Sequence, residues 1–226
     1  MDNGSSDDLE RENQRLQREL GEIRRQLAER SLALQQALDE AERLKLQDGL
    51  TALANLKKLD LRLEEEILRW ERYRRPLALI LMQLDDFGAV NEQYGRMTGD
   101  EVLHHVAVML KQSVRTIDLP VRYGGNEFAV LLPETNEMGA MIVAERLRME
   151  LESQVILPLV QPLSASFGVA MLLPGESREE LHVRAGRAVQ HSKRHGKNCV
   201  TMAGVVGDCD HVYQGGSQAK EGLGNV

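Results

Sequence analysis

Arg122-Tyr-Gly-Gly-Asn-Glu-Phe-Ala-Val-Leu-Leu-Pro133 is the stretch that decides the fold. Arg122 and Tyr123 begin as a strand, and Gly124-Gly125 supplies the backbone freedom of a two-residue turn. Phe128 to Leu132 then runs apolar throughout, as a buried strand does. A hairpin of this kind needs further strands beside it and helices over its faces, and the chain around it supplies both. Leu77 to Leu84 is a second continuous apolar run, read as a buried central strand. Helical stretches over Ala89–Tyr94 and Gly99–Ser113 separate the two. Downstream come a helix (Glu137–Glu152), a strand (Leu163–Leu172), a helix (Arg178–His195) and a last strand (Cys199–Met202). Strands alternating with helices around one antiparallel hairpin predict an α/β (α+β) domain, with a mostly antiparallel central sheet covered by helices.

Upstream, Pro76 ends a helix expected over Ala52–Arg74, and Asp48-Gly-Leu-Thr51 supplies turn chemistry ahead of it, Asp or Thr being able to cap that helix. Residues 5–46 hold Gly21 as their one glycine, no proline, and much Leu, Glu, Gln and Arg, which favours one long helix. Leu9, Leu16, Ile23 and Leu44 fall at d of a heptad, and Asn13, Leu20, Leu27, Leu34 and Ala41 at a. Arg30 breaks the d column, and Ala37 and Ala41 narrow the seam. Asn at an a position fixes register and two-strandedness, because two amides can pair across the seam. A single solvated amphipathic helix has the same pattern. The dimer is favoured because a segment with so few aromatic or β-branched residues has no core of its own. The expected organisation is a dimerising coiled coil over 1–46, a domain over 47–203 and a flexible Gly-rich tail over 204–226.

Of the 226 residues 42% are hydrophobic, enough to bury one good core, and the net charge of -7 argues against a general nucleic-acid binder. No apolar run approaches the ~20 residues that span a bilayer. Met1-Asp-Asn-Gly-Ser-Ser-Asp-Asp8 has neither the basic start nor the apolar core of a signal peptide. Cys199 and Cys209 make no disulfide framework. A soluble cytoplasmic protein is the simplest expectation.

Six short pieces, in order and at compatible spacings, resemble the GGDEF family, the bacterial diguanylate cyclases. They are Asp48-Gly-Leu-Thr-Ala-Leu-Ala-Asn55, Gln83-Leu-Asp-Asp-Phe87, Asn91-Glu92 with Gly95-Arg-Met-Thr-Gly-Asp100, the hairpin, Ser166-Phe-Gly-Val-Ala170, and Lys193 with Gly196-Lys-Asn198. The resemblance covers about Asp48 to Met202 and implies the palm-like nucleotidyl-cyclase fold. It also carries a departure: Asn126 stands where the family has Asp or Glu.

Joining two GTP molecules requires a ribose 3′-hydroxyl to be deprotonated and to displace pyrophosphate, and two divalent ions serve such displacements by stabilising attacking and leaving oxygens together. By resemblance, the metal-holding side chains come from positions 83, 126 and 127, which here are Gln83, Asn126 and Glu127. An amide brings no charge against a dication and cannot act as a base. Any remaining metal would fall to Glu127 and Asp85, the latter on the strand face of Gln83 but about 6–7 Å along. Magnesium is expected only with residual GTP binding, and no resident cofactor otherwise. The resemblance gives the triphosphate to Lys193 and Lys197, while Gly88 and Arg96 replace a family Lys and His. It gives guanine to Asn91 and Asp100, a carboxylate being suited to the N1–H and N2 edge. The alternative for that pair is a turn and cap role.

Arg115-Thr-Ile-Asp118 stands at the spacing from Gly124-Gly125 at which many GGDEF domains carry an inhibitory Arg-x-x-Asp site for cyclic di-GMP. Arg146 resembles a secondary arginine that reaches a ligand bound between two domains. A guanidinium fork takes a phosphate or the O6/N7 edge of guanine, and Asp accepts from N1–H and N2. An Arg115–Asp118 surface pair at a helix end is the alternative. His104 and His105 are adjacent and face different directions. His191 and His195 have metal-ligand spacing, but with His182 the last helix reads as a solvated face. Trp70 and Tyr73 are expected to anchor their helix on the sheet. The resemblance therefore implies a catalytically impaired receptor for cyclic di-GMP, homodimeric through its coiled coil and signalling to a protein partner the sequence does not name. Its rivals are an active or weakly active cyclase and a nucleotide-free scaffold.

Overall fold

A computed structural model describes residues 4–204 and 211–213. The chain divides into two compact units, one up to Lys45 and one from Leu46 on. The first is a single helix, α1 (Gly4–Leu44), of 41 residues, about 60 Å at 1.5 Å per residue. Its Leu16, Leu20, Ile23, Leu27 and Leu34 side chains are all exposed.

The second unit runs α2 (Leu56–Tyr73), β1 (Leu77–Leu84), α3 (Phe87–Tyr94), α4 (Arg96–Ser113), β2 (Leu119–Gly124), β3 (Glu127–Pro133), α5 (Glu137–Ser153), β4 (Ala165–Met171), α6 (Arg178–Arg194), β5 (Val200–Met202) and β6 (His211–Tyr213). The strands form one sheet in the order β2-β3-β1-β4-β5-β6. Among these described strand pairs only β4–β5 is parallel. Alternation along β1 builds two cores: Ala78, Ile80, Met82 and Leu84 face α4 and α5, while Leu77 and Leu79 face α2 and α6. Helices α2, α5 and α6 begin where the sequence offers caps. Asn55, Asn136 and Ser177 each accept a backbone N–H of the first turn, and Ser177 forms a capping box with Glu180.

Gly168 on β4 lets α6 lie directly on the sheet, since a Cβ there would sit 2.3 Å from the Ala185 carbonyl oxygen and 2.6 Å from the Val189 nitrogen. Both are helix backbone and cannot move aside. Gly168→Ala is expected to cost about 1–3 kcal/mol or more through overpacking, read as a lower urea midpoint at an unchanged slope.

Several expectations shift. The hairpin turn is Gly125-Asn126, one residue later than the Gly-Gly reading: Gly124 pairs with Glu127, with a bulge between Arg122 and Gly124. Gly125 takes φ +48°, which explains its glycine. Asp48 closes its own turn, accepting from Thr51 N (2.8 Å) and Oγ1 (2.6 Å), and the cap of α2 is Asn55. Trp70 packs against the core as expected, but Tyr73 is 60% exposed and does not anchor the helix. Within the stretch read as a flexible tail, His211–Tyr213 pairs with β5; the rest of that reading lies outside the described residues. No helix among the described residues is long and apolar enough to cross a membrane.

Candidate functional site

The register of β1 against β3 sets Gln83 directly opposite Glu127. The Gln83 amide donates from Nε2 to Glu127 Oε1 at 2.8 Å. Next to it, Asn126 donates from Nδ2 to the Leu84 carbonyl at 2.8 Å, and Leu84 N donates back to the Asn126 carbonyl at 3.0 Å. Each amide thus presents hydrogen to an oxygen acceptor, the same kind of oxygen that a hard cation would seek. Asp85, expected as a possible metal ligand, is buried and already used. Its Oδ1 accepts from Ser166 Oγ (2.8 Å), and its Oδ2 from Ser164 Oγ (2.9 Å) and Asn198 N (3.1 Å). That leaves Glu127, itself held by Gln83, as the one carboxylate among positions 83, 126 and 127. No group of three or more His, Cys, Asp or Glu among the described residues is placed to hold a metal ion. These residues do not fit a pair of divalent ions.

Asn91 on α3 and Asp100 on α4 are brought to one junction. The Asn91 amide lies so close to Gly99 that a Cβ there would fall 2.0 Å from its Oδ1, and Asp100, the next residue, is exposed. Both candidate phosphate cations face carboxylates. Lys197 Nζ donates to both oxygens of Asp86, at 2.6 and 2.8 Å, and Lys193 Nζ sits 3.8 Å from Asp85 Oδ1. The Lys197–Asn198 loop, in left-handed backbone, is held from behind by Arg148. That buried guanidinium binds Glu145, Glu152 (2.8 Å) and the Asn198 side chain (3.0 Å). Its hydrogen bond holds the Glu152 carboxyl below the usual range.

Arg115, Asp118 and Arg146 converge at the far end of α4. Asp118 caps the turn into β2, accepting the Arg115 backbone N–H on Oδ2 at 2.9 Å, with the Arg115 Nε 3.7 Å from the same oxygen. Its side chain is 1% exposed, and Oδ1 is buried without a partner. Burial pushes this carboxyl up, while the Arg115 N–H and the charges of Arg115 and Arg146 pull it back. Arg146 donates to the Ser113 carbonyl. The Arg115 side chain, 57% exposed, reaches Thr135 Oγ1 at 3.2 Å and presents the rest of its fork to solvent.

The model of the family described as diguanylate cyclase, GGDEF domain, matches residues 45–199. The chain belongs to the GGDEF family. Among its relatives, the response regulator PleD of Caulobacter vibrioides is 34% identical over 172 residues, 74% of this chain and 38% of PleD. The bifunctional diguanylate cyclase/cyclic di-GMP phosphodiesterase MucR of Pseudomonas aeruginosa is 39% identical over 170 residues, 74% of this chain and 24% of MucR. The chain therefore spans well under half the length of these curated relatives. Among solved structures, the coiled coil and GGDEF domain of DgcB from Caulobacter crescentus, in complex with c-di-GMP, superposes with a TM-score of 0.71 at 30% identity. It covers 84% of this chain and 98% of that one. Diguanylate cyclase SiaD of Pseudomonas aeruginosa, in complex with its activator SiaC, gives 0.69 at 30% identity, over 88% and 77%.

Within this GGDEF domain, three features escaped the sequence. Asp86, opposite Lys197, is one. Arg122 is another: buried over the Phe128 ring at 4.9 Å, it donates to the Gly125 carbonyl and stiffens the turn. The third corrects the solvated-face reading of α6. His182 stands edge-on to Tyr123 with ring centroids 5.6 Å apart, its Nε2 is buried without a partner, and burial pushes its imidazole below the usual range. His191 and His195 stack at 3.9 Å between centroids. Parallel rings at that spacing do not converge on one ion. No run of sequence distinguishes His182 from its neighbours, because its surroundings come from β2.

Proposed function

We propose that this GGDEF domain turns GTP over poorly or not at all and acts as a receptor for cyclic di-GMP through Arg115, Asp118 and Arg146. A contrast between the two sites carries the reading. Around Gln83 and Asn126, amide hydrogens occupy the oxygens a metal would need, and Asp86 and Asp85 face the candidate phosphate cations. At the other site two arginines and a buried carboxylate with an unpaired oxygen converge, and one fork is open to solvent. Residual guanine binding at Asn91 and Asp100, with magnesium helping GTP to bind, is compatible with this. A calorimetric titration with cyclic di-GMP, then with GTP and magnesium, tests it. Micromolar binding of the dinucleotide without conversion of GTP supports the receptor, whereas affinity no better than millimolar removes it. One observation favours a nucleotide-free scaffold instead: Asp118 already has a structural task in capping Arg115 N.

The exposed leucine column of α1 supports a parallel homodimer through a coiled coil over residues 1–46. The full chain is then expected to scatter light as a dimer, and a chain shortened to begin at Gln47 as a monomer without ligand. A monomeric full chain at micromolar concentration ends that part of the proposal.

A further inference from the structure

Between α6 and the strands β1, β2 and β3 lies a cavity of about 170 Å³. From the helix it is lined by His182, Gly186 and Gln190, each four residues from the next and so on one stripe. From the sheet it is lined by Gln83, Tyr123 and Glu127. Gly186 opens it, because a Cβ built there meets nothing within 4 Å. Apolar atoms of strand and helix complete the walls, and neither Lys nor Arg is among the lining residues.

We propose that this cavity binds a single-ring nitrogen heterocycle carrying N–H donors, an aminopyrimidine in size and chemistry. The size follows from the volume, since a cavity of about 150 Å³ accommodates benzene. The sign follows from the lining, with one carboxylate and no cation: phosphates and carboxylates are disfavoured, donors and weak bases favoured. Glu127 gives Oε1 to Gln83 and can offer Oε2 to an amino group. His182 Nε2, buried without a partner, is a polar atom whose desolvation a ring nitrogen offsets. The Tyr123 and His182 rings, at 80° to each other, give one face and one edge for an aromatic guest. The site stands whether or not cyclic di-GMP binds at Arg115, since it shares no residue with that site.

The test is a titration of the full chain with 2-aminopyrimidine, followed by the ring resonances of His182. A saturable one-to-one shift is expected, with Kd on the order of 1 mM or tighter, a reasonable affinity for about seven heavy atoms. Gly186→Leu fills the space and is expected to weaken binding at least about tenfold. Gly186→Ala, whose added methyl meets open space, weakens it less and serves if the leucine variant does not fold. Pyrimidine-2-carboxylate, the anionic counterpart, is expected not to bind. No shift of His182 at ten times that concentration overturns the proposal, as does wild-type affinity in folded Gly186 variants.

Discussion

Gln83→Asp combined with Asn126→Asp is expected to bring magnesium-dependent synthesis of cyclic di-GMP up from the background by several orders of magnitude. The expectation rests on the two hydrogen bonds that now occupy the site. Asn126 Nδ2 donates to the Leu84 carbonyl and Gln83 Nε2 to Glu127 Oε1, and aspartate at either position turns a donor into a charged acceptor. Three carboxylates, at positions 83, 126 and 127, and the Leu84 carbonyl then gather with no hydrogen between them, an arrangement that a bound cation stabilises. Each tenfold in rate is ~1.36 kcal/mol of transition-state stabilisation, so a few kcal/mol per restored ligand suffices for the effect. The changes should act cooperatively, because both side chains must hold the same ions. Gln83→Asp alone places like charges directly opposite across β1 and β3, which destabilises the pair. Its melting temperature should fall without magnesium and recover on adding it, as binding to the folded state alone requires. Chromatography of nucleotide products and a thermal melt check the two halves. Product from the unaltered chain at an enzyme's rate sinks the argument.

Arg115→Ala carries the second large effect. The fork is mostly solvent-exposed, so its loss is expected to remove a charge-assisted contact to ligand of about 1.5–3 kcal/mol, a tenfold to hundredfold drop in cyclic di-GMP affinity, with a smaller cost in stability from the lost Thr135 bond and the charge beside buried Asp118. Asp118 is different, since its carboxylate is buried and caps the turn. Asp118→Asn keeps an oxygen for the Arg115 N–H while losing the charge that accepts from guanine, so affinity should fall with the fold intact. Asp118→Ala should lower affinity and melting temperature together. Asp100→Ala, in the other pocket, should leave this binding nearly unchanged. Equal binding by the Arg115 variant leaves the scaffold in possession.

Where local pattern and burial agree, the sequence was enough. Leu77–Leu84 reads as β1 to the residue because a run of eight apolar and amide side chains has no other home than a strand buried on both faces. The helix expected over Arg178–His195 is α6 to within one residue. Other boundaries moved where backbone conformation rather than composition decides. Asp86 adopts φ 50° and starts α3 at Phe87, and the bulge between Arg122 and Gly124 delays the turn. The convergence of Arg115, Asp118 and Arg146 was legible only through family resemblance, since α5 lies far from that turn in sequence. The engagement of Asp85 was invisible, because its partners Ser164, Ser166 and Asn198 arrive from about eighty and more than a hundred residues away. The cavity under α6 left only a glycine where a helix would prefer alanine.

The two outermost strands have a bearing on how copies of this domain can meet. On one side β2 carries Pro120, which has no N–H to offer, and a bulge; on the other β6 is three residues long. Both are blunt templates, ill suited to recruiting a strand from another molecule. Sheet-to-sheet growth, the usual hazard of exposed strand edges, is thereby discouraged, and Ala54 covers part of β2 by accepting the Arg122 N–H at 2.8 Å. Helical and loop surfaces are left as the places where another copy could be met and released without disturbing a hydrogen-bonded ladder.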